Sequence, residues 1–305
     1  MYEECVEKSY IYIDKFTSAL SAKGLSEHTI ESYAKSISLF YSFLKEEFNT
    51  TDIENLDSED IRLFFGWLND RGSTKRTIAQ RMSAVRTFFA WLKKSKLVKT
   101  DITQTIASPK IDKKLPVWVT NSEIIILLNE IEEVEKYSEY DKQLFASLIL
   151  LIYGSGLRVS EALGLKISDL GKGSIKVLGK GKKNRNAYLT SEASSSLKEL
   201  IKLRISKGHR LNNSSLVFCT EDSSQLNRQA AYKHIKSLIL RSGINSEASP
   251  HTLRHSFATH LLNNGAGIES VGELLGHSSL SSTQIYTHVS IERLKKVHSQ
   301  AHPRA

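Results

Sequence analysis

Cysteine is scarce in this sequence, and no stretch is long and apolar enough to cross a membrane. The 305 residues include two cysteines, Cys5 and Cys219, which lie far apart and in no common motif. We therefore expect free thiols in a reducing compartment and no disulfide framework. The most apolar run, residues 144–153, is too short to span a bilayer and is expected to form a buried helix. The acidic start, residues 1–4, has no signal-peptide core. Together these features predict a cytoplasmic protein without membrane insertion.

Motifs for nucleotide hydrolysis and metal binding are also missing. The turn at residues 179–181 reads Gly-Lys-Gly, but it lacks the spacing of a phosphate-binding P-loop, which excludes an NTPase of that kind. His251 and His255 have the i, i+4 spacing of a zinc pair, yet position 252 is Thr, where a zinc protease has Glu. We therefore expect no metal and no cofactor, and we predict that His255 and His260 are packed structural residues.

Positive charge is distributed unevenly along the chain. Residues 1–112 carry 16 Lys and Arg against 16 Asp and Glu, whereas residues 113–305 carry 26 against 17, which accounts for the net charge of +9. Within the neutral part, residues 71–99 hold nine basic residues and no acidic one. A solvated helix face usually mixes both signs. A one-signed segment of this length therefore predicts contact with a polyanion, and a basic stripe is typical of nucleic-acid binding.

The first part of the chain has the pattern of a helical, DNA-binding domain, which we place at residues 1–107. Four amphipathic segments are expected to form helices, at residues 10–23, 26–47, 59–71 and 75–94. In the fourth segment the apolar and aromatic residues share one side, which is expected to pack in the core. The opposite side carries the residues that we expect to enter a major groove of DNA, namely Lys75, Arg76, Gln80, Arg81 and Arg86.

A linker is predicted at residues 108–118, where Pro109 and Pro116 disfavour helix and basic residues accompany them. The second domain would then cover residues 119–305. Residues 120–123 read Thr-Asn-Ser-Glu, which is a capping box and is expected to open the first helix of that domain.

The second domain is expected to be mostly helical, with a small antiparallel sheet. Residues 174–178 and 187–189 are short alternating segments, which predict a hairpin. The tip of the hairpin is basic, and we predict that it contacts the DNA backbone through Lys182, Lys183 and Arg185. Asn227 is the expected N-cap of a later helix. The first turn of that helix presents two residues suited to base edges, Arg228 and Gln229.

Residues able to act on a phosphate come together in the last quarter of the chain. Ser249 can cap a helix and Pro250 suits its first position. His251 and Arg254, three residues apart, then share one face of that helix. An imidazole beside the forked donors of a guanidinium fits a phosphate with developing negative charge. Tyr286 follows as a candidate nucleophile, since tyrosine can form covalent intermediates.

Arg158 and Glu161 form a second polar pair, just after a glycine-containing turn at residues 154–156. Their spacing of three residues allows two interpretations. The carboxylate can orient the guanidinium for a function, or the two can form a surface ion pair that contributes little to stability. The residues by themselves favour neither interpretation.

Six polar residues occur in an order and in contexts that resemble the tyrosine recombinase/integrase family. The contexts are GLRVSE (156–161), GKG (179–181), HTLRH (251–255), LLGHS (274–278) and TQIYTH (283–288). Within that family the chain most resembles the Xer recombinases, of the XerC and XerD type, over nearly its whole length. It departs at Gly272, where a larger polar residue is common, and at the linker end, residues 116–119. Neither departure touches the six residues, which are Arg158, Lys180, His251, Arg254, His277 and Tyr286.

The resemblance implies a fold and a reaction. The fold would be mainly α, with a helical core-binding, SAM-like domain and a catalytic domain that carries a C-terminal exchange helix. Tyr286 would attack a backbone phosphate and form a 3′-phosphotyrosyl link, which a partner strand reseals without ATP. Arg158 and Arg254 would clamp the phosphate, and Lys180 would protonate the leaving oxygen. The resemblance further implies that His251 takes the proton of Tyr286 or donates to the phosphate. His277 would donate a hydrogen bond to the phosphate, and Glu161 would orient Arg158.

The resemblance also implies partners. Four protomers would hold two double-stranded recombination sites, either as one kind of chain or together with a second Xer recombinase, and the tail after Tyr286 would dock into a neighbouring protomer. Resolution of chromosome dimers at a dif-like site, activation by a septal DNA translocase of the FtsK type, and a nucleoid-associated location in the cytoplasm would follow. Three alternatives stay open: a phage, transposon or integron integrase, a catalytically silent architectural DNA-binding protein, and a type IB topoisomerase.

Overall fold

The computed structural model of the chain describes residues 2–109, 117–178, 184–276, 298 and 300–303. The chain divides into two units, Met1–Lys114 and Leu115–Ala305, which we call the N-terminal unit and the C-terminal unit. The predicted domain limits, residues 1–107 and 119–305 around a linker, stay predictions, because residues 110–116 lie outside the described part. Among the described residues, no helix has the length and apolar character needed to cross a membrane.

Helices form the described part of the N-terminal unit. They are α1 (Tyr2–Ala22), α2 (Glu27–Phe48), α3 (Ser58–Asp70) and α4 (Lys75–Lys94). Local hydrogen bonds set their starts, since Ser26 Oγ accepts the N–H of Thr29 at 3.3 Å and the Asp57 carboxylate accepts the N–H of Glu59 at 2.7 Å. The predicted segments are confirmed, except that α1 begins at Tyr2 and not at residue 10.

Aromatic rings dominate the core of the N-terminal unit. The ring of Phe40 lies 5.1 Å from that of Phe64 and 6.1 Å from that of Phe89, and both contacts are edge-on. Such contacts add to the burial of apolar area. The side of α4 that was predicted to pack is buried throughout: Ile78, Met82, Val85, Phe88, Phe89 and Leu92.

The C-terminal unit is mostly helical and contains one two-stranded antiparallel sheet in its described part, which confirms the predicted fold class. Its elements are α5 (Asn121–Glu132), α6 (Glu139–Ser155), α7 (Val159–Leu163), a 3-10 turn (Ile167–Asp169), β1 (Ser174–Leu178), β2 (Asn184–Tyr188), α8 (Ser191–Ser206), α9 (Arg228–Arg241), α10 (Pro250–Asn263) and α11 (Ile268–Leu275).

Helix α6 forms the centre of the C-terminal unit and packs against α8 and α10. Its residues are buried from Leu144 to Ser155 with few exceptions. We predicted a turn at residues 154–156, but the helix continues to Ser155. Gly154 permits a close approach of the chain before α8, since a Cβ there would lie 3.0 Å from Thr190 Oγ1. Gly156 then ends the helix in the left-handed conformation, with φ of 64°.

The register of the sheet decides which side chains face inward. Ile175 pairs with Ala187, and Val177 pairs with Arg185. Residues paired across two strands lie on the same face, and the two apolar partners Ile175 and Val177 are buried. Arg185 is therefore placed on the inner face. Strand β2 begins at Asn184, three residues earlier than predicted.

Candidate active site

The turn after α6 delivers Arg158 to the start of the short helix α7. Gly156 is needed there for two reasons: its φ is positive, and a Cβ would lie 2.5 Å from Cδ1 of Phe257. Its carbonyl oxygen accepts a hydrogen bond from Nη1 of Arg254. Leu157 is fully buried, while Arg158 is only partly covered. The turn thus joins the two arginines that were predicted to clamp a phosphate.

Glu161 is the carboxylate around which these arginines gather. Arg158 donates to it twice, from Nη1 to Oε1 at 2.8 Å and from its backbone N–H to Oε2 at 2.9 Å. The side chain of Glu161 is only 8% exposed. Burial by itself would raise the pKa of Glu161, but hydrogen bonds from Arg185 and Arg158 outweigh burial, so that the pKa is lowered and the group is ionised. Of the two interpretations of the Arg158–Glu161 pair, the structure excludes a freely exposed surface pair.

Arg254 is held almost entirely inside the unit. Its Nη2 donates to the carbonyl oxygen of Leu275 at 2.7 Å, and its Nη1 lies 3.6 Å from Oε2 of Glu161. Burial, and then the positive charge of Arg158, lower the pKa of Arg254 to about 10, while Glu161 opposes that shift. The group therefore remains charged at neutral pH. A buried guanidinium with fixed donors is suited to bind an oxyanion.

His251 stands one turn before Arg254 on α10, as predicted. Helix α10 begins at Pro250, and the backbone N–H of Ser249 donates to Oγ1 of Thr252 at 3.0 Å. Partial burial, and then the charges of Arg228, Arg254 and Arg158, lower the pKa of His251. The imidazole is therefore neutral at pH 7 and able to accept a proton. The shift also shows that Arg228, which we predicted to read DNA bases, lies within electrostatic reach of this centre.

Arg185 is not where the sequence placed it. We predicted that it sits at a basic hairpin tip and contacts the DNA backbone. Its side chain is 13% exposed, and Nη1 and Nη2 donate to Oε1 and Oε2 of Glu161 at 3.2 and 3.1 Å. The physical reason is the register of the sheet, which turns Arg185 toward the inner face. Three guanidiniums therefore surround one carboxylate: those of Arg158, Arg185 and Arg254.

The predicted DNA contacts on α4 lie on the surface of the N-terminal unit. Lys75, Arg76 and Gln80 are exposed. Gln80 also bonds within the chain, since its Nε2 donates to Oγ of Ser32 at 3.1 Å. Arg86 is only partly exposed: its Nη1 donates to Oγ of Ser108 at 2.9 Å and its Nη2 donates to the carbonyl oxygen of Ile106. Part of its guanidinium is thus bound within the chain, and its contact with DNA stays a prediction.

The remaining predicted site residues include exposed and partly covered ones. Arg81 is partly covered and donates to Oγ of Ser73 at 3.3 Å. Arg228 and Gln229 are exposed in the first turn of α9, where Oδ1 of Asn227 accepts the N–H of Ala230 at 2.8 Å as expected of an N-cap. Five predicted site residues lie outside the described part of the chain: Lys180, Lys182, Lys183, His277 and Tyr286.

Two histidines near the end of the sequence were missed by the sequence analysis. His298 Nε2 donates to the carbonyl oxygen of Gly154 at 2.8 Å, and His302 Nε2 donates to that of Tyr153 at 3.2 Å. Their rings stack 5.5 Å apart. We call His298 and His302 the histidine pair. These described residues pack on their own unit, whereas we predicted that the tail docks into a neighbouring protomer.

The other histidine predictions have a mixed outcome. His260 is buried, and its Nδ1 lies 2.8 Å from the Tyr153 hydroxyl, which confirms a structural role. His255 is exposed, so the prediction that it is packed was wrong. In the part of the chain that the structure describes, no three His, Cys, Asp or Glu side chains form a group able to hold a metal ion.

Comparison with known proteins relates both units to enzymes that act on DNA. The profile of the phage integrase family matches residues 118–293, and that of the phage integrase N-terminal SAM-like domain matches residues 13–96. Tyrosine recombinase XerD of Oceanobacillus iheyensis is 36% identical over 299 residues, which cover 97% of this chain and 99% of that protein.

The solved structures that resemble the chain include two DNA complexes. The XerH site-specific recombinase bound to palindromic difH substrate, a post-cleavage complex, has a TM-score of 0.68 at 29% identity and covers 88% of this chain and 79% of that one. A lambda integrase dimer bound to a COC′ core site has a TM-score of 0.71 at 16% identity and covers 92% and 98%. The second likeness shows the fold alone. The SAM-like match confirms the predicted type of N-terminal domain.

Proposed function

Because the chain belongs to the phage integrase family and is a DNA strand-exchanging tyrosine recombinase of the Xer type, we propose that it cuts and rejoins DNA through a 3′-phosphotyrosyl intermediate on Tyr286. The observation that carries this proposal is the cluster of Arg158, Arg185 and Arg254 around Glu161. Three guanidiniums and one carboxylate leave a net charge of +2. The side chain of Arg158 is 37% exposed, whereas Arg185 and Arg254 are largely buried with Glu161. Buried charge in excess of its partner is costly unless an anion compensates it, and a DNA phosphate that reaches Arg158 is such an anion.

The proposed cleavage step transfers the phosphoryl group from DNA to the enzyme. The phenolic oxygen of Tyr286 attacks the phosphorus, and a P–O bond forms as the bond to the 5′ oxygen breaks. Arg158 and Arg254 bind the non-bridging oxygens, where negative charge develops in the transition state. Lys180 protonates the departing 5′ oxygen, and His277 donates a hydrogen bond to the phosphate.

His251 takes the proton of Tyr286 or donates to the phosphate. Its lowered pKa supports the first role, since a neutral imidazole is the form that accepts a proton. Religation reverses the step, with the 5′-hydroxyl of a partner strand as the attacking group. The energy of the phosphoester is retained in the enzyme link, so that no ATP is required.

The DNA partner is proposed to be a double-stranded, dif-like recombination site, and the biological role the resolution of chromosome dimers. The likeness to XerD over nearly the whole chain and to XerH bound to a difH substrate supports this choice over an integrase of a phage, transposon or integron. Four protomers would assemble on two sites, alone or with a second Xer recombinase, and a septal translocase of the FtsK type would activate them. Such a role would place the protein at the nucleoid in the cytoplasm.

A nicked duplex that traps the covalent product tests the proposal. The site is selected by the protein itself from a random-sequence pool, the selected duplex is nicked beside the cleavage position, and the products are separated on a denaturing gel. We expect a covalent protein–DNA band with the wild type and with Tyr10→Phe, whose tyrosine is exposed in the N-terminal unit, and no band with Tyr286→Phe.

Other outcomes have definite meanings. A bound site without any adduct, even after addition of a second Xer recombinase, would support the catalytically silent architectural alternative. Relaxation of supercoiled plasmid without a recombination site would support a topoisomerase. An adduct that persists in Tyr286→Phe would overturn the assignment of the nucleophile.

A further inference from the structure

Arg185 touches two parts of the active site at once. Besides its two hydrogen bonds to Glu161, its Nε approaches the carbonyl oxygen of Leu274 at 3.5 Å. Leu274 lies near the end of α11, next to Leu275, whose carbonyl oxygen binds Arg254. Arg185 therefore lies between the carboxylate that gathers the arginines and the helix end that holds one of them.

Gly276 shows how closely Arg185 is seated. A Cβ on Gly276 would lie 2.8 Å from Cδ and 2.9 Å from Nε of Arg185, closer than carbon contacts allow. The φ of Gly276 is 64°, a conformation that favours glycine, and the end of the Arg185 side chain fills the space beside it. The stem of Arg185 thus occupies the volume that a larger residue at position 276 would fill, and it cannot swing outward to DNA without leaving that volume empty.

The hydrogen bonds of Glu161 are fully used. Each carboxylate oxygen accepts one bond from Arg158 and one from Arg185, at 2.8 to 3.2 Å. A carboxylate has about four such acceptor positions. Arg254, at 3.6 Å from Oε2, is attracted by Glu161 without being hydrogen-bonded to it, and its donors go to the carbonyl oxygens of Gly156 and Leu275.

We propose that Arg185 is a positioning residue for strand exchange: by filling the acceptor positions of Glu161 it prevents that carboxylate from drawing Arg254 and Arg158 away from the DNA phosphate. This proposal rests on the proposed function, in which those two arginines bind the phosphate. Arg185 also raises the net charge of the cluster, since without it two guanidiniums and one carboxylate would leave only +1.

The electrostatics of the cluster agree with this role. Among the influences that lower the pKa of Glu161, the hydrogen bond from Arg185 is the largest, and the charge of Arg185 contributes to lowering the pKa of Arg254. If Arg185 were removed, two acceptor positions on a buried carboxylate would become vacant beside Arg254. Because an unsatisfied buried carboxylate is costly, Arg254 would move to fill them.

The test separates DNA binding from the cleavage step. With the selected nicked duplex at saturation, single-turnover adduct formation by Arg185→Gln should be slower by about 10–100-fold, as when groups that orient the ligands of a catalytic metal are removed. The dissociation constant for the same duplex, which many basic surface residues help to set, should change by much less than the rate. Arg185→Lys keeps the positive charge but lacks the two guanidinium donors, so its rate of adduct formation should be intermediate. Thermal melts check that both variants are folded.

A double-mutant cycle tests whether Arg185 acts through Glu161. In Glu161→Gln the neutral amide attracts Arg254 less, so adding Arg185→Gln to it should slow the reaction by much less than tenfold. Additive losses would overturn the proposal. So would weaker DNA binding by Arg185→Gln with a salt dependence reduced by about one unit of slope, which would show a direct phosphate contact instead.

A second measurement does not require cleavage. Inorganic phosphate should raise the melting temperature of the wild-type full chain more than potassium chloride at equal ionic strength, and Arg185→Gln should lose most of that difference. If the wild type forms no adduct but Arg185→Gln loses this phosphate effect, the proposed function fails while the effect of Arg185 on an anion site is still shown. If Arg185→Gln retains the full phosphate effect, the role of Arg185 fails whatever the adduct assay shows.

Discussion

The two units of the chain differ in what they bury. In the described part of the N-terminal unit the buried side chains are apolar and aromatic, and the buried polar ones are limited to Ser36 and Thr103. The C-terminal unit buries arginine and histidine as well: Arg204, Arg254, His260, His298 and His302. The ion pairs in the described part of the N-terminal unit that join Lys35 to Glu31, Arg62 to Glu59 and Arg71 to Glu46 are exposed, and such pairs contribute little to stability.

Charged side chains therefore have a different setting in each unit: they lie on the surface of the N-terminal unit, and some of them are buried in the C-terminal unit. Charges on the surface of α4 can follow a flexible, hydrated polyanion and provide affinity, but they are not held in fixed positions. Charges inside the C-terminal unit are fixed by hydrogen bonds, as Arg254 is by the carbonyl oxygens of Gly156 and Leu275. Fixed donors in a site of low dielectric stabilise a transition state. A basic surface is thus suited to binding, whereas buried positive charge in excess of its carboxylate partner is suited to stabilising a transition state.

The largest expected effect concerns the apolar core of the N-terminal unit. Phe40→Ala removes a fully buried ring that contacts Phe64 and Phe89, and we expect a loss of about 3–5 kcal/mol in the free energy of unfolding. Urea unfolding of the full chain, followed by fluorescence of Trp67 and Trp91, measures it. Phe48→Ala on the same helix is the control, because that ring is 40% exposed. Equal losses in both variants would contradict an aromatic core as the main source of stability.

A smaller effect is expected from acid, and it should fall on the C-terminal unit. Burial lowers the pKa of His298, although its bond to Gly154 opposes the shift. The unfolded chain then binds a proton below about pH 6.5 that the folded chain does not, so stability is complete above that pH. It declines as pH falls toward the lowered pKa, by at most about 1.4 kcal/mol per pH unit for this histidine.

His298→Gln should flatten this decline, since an amide can still donate to the Gly154 carbonyl oxygen and does not titrate in this range. Hydrogen exchange between about pH 5 and 7.5, analysed by peptide, separates the two units. His255→Gln serves as the control, because His255 is exposed. If the stability of His298→Gln depends on pH as that of the wild type does, His298 is not the cause of the decline.

The smallest expected effect concerns the basic surface of the N-terminal unit. Arg76→Ala removes an exposed charge of α4, and we expect weaker DNA binding with a slope of log K against log salt that is smaller by about one. The cleavage rate at saturating DNA should not change. Lys202→Ala, whose ammonium is bound to Glu199 at 2.8 Å, should alter neither quantity. A slower cleavage rate for Arg76→Ala at saturating DNA would show that Arg76 contributes to the reaction. The two units would then not differ in their use of charge as described.

The sequence was informative wherever the cause of structure is local. N-caps such as Ser26, Asp57 and Asn227 act within three residues, and the bounds of α4 follow from the spacing of its apolar side. The position of Arg185 was missed because it depends on register, although its alternation with the apolar Ala187 was a usable signal. The histidine pair depends on contacts across 144 and 149 residues, which no local pattern reveals.

The end of α6 gives the histidine pair a consequence for the order of folding. The last carbonyl oxygens of a helix lie beyond the reach of its own N–H groups, and His302 and His298 donate to those of Tyr153 and Gly154 from far along the chain. Contacts between such distant residues form late, because a long loop must close first. The N-terminal unit, whose helices are successive neighbours, can acquire its basic surface earlier. The end of α6, from which the turn with Arg158 continues, is therefore expected to be completed late in folding.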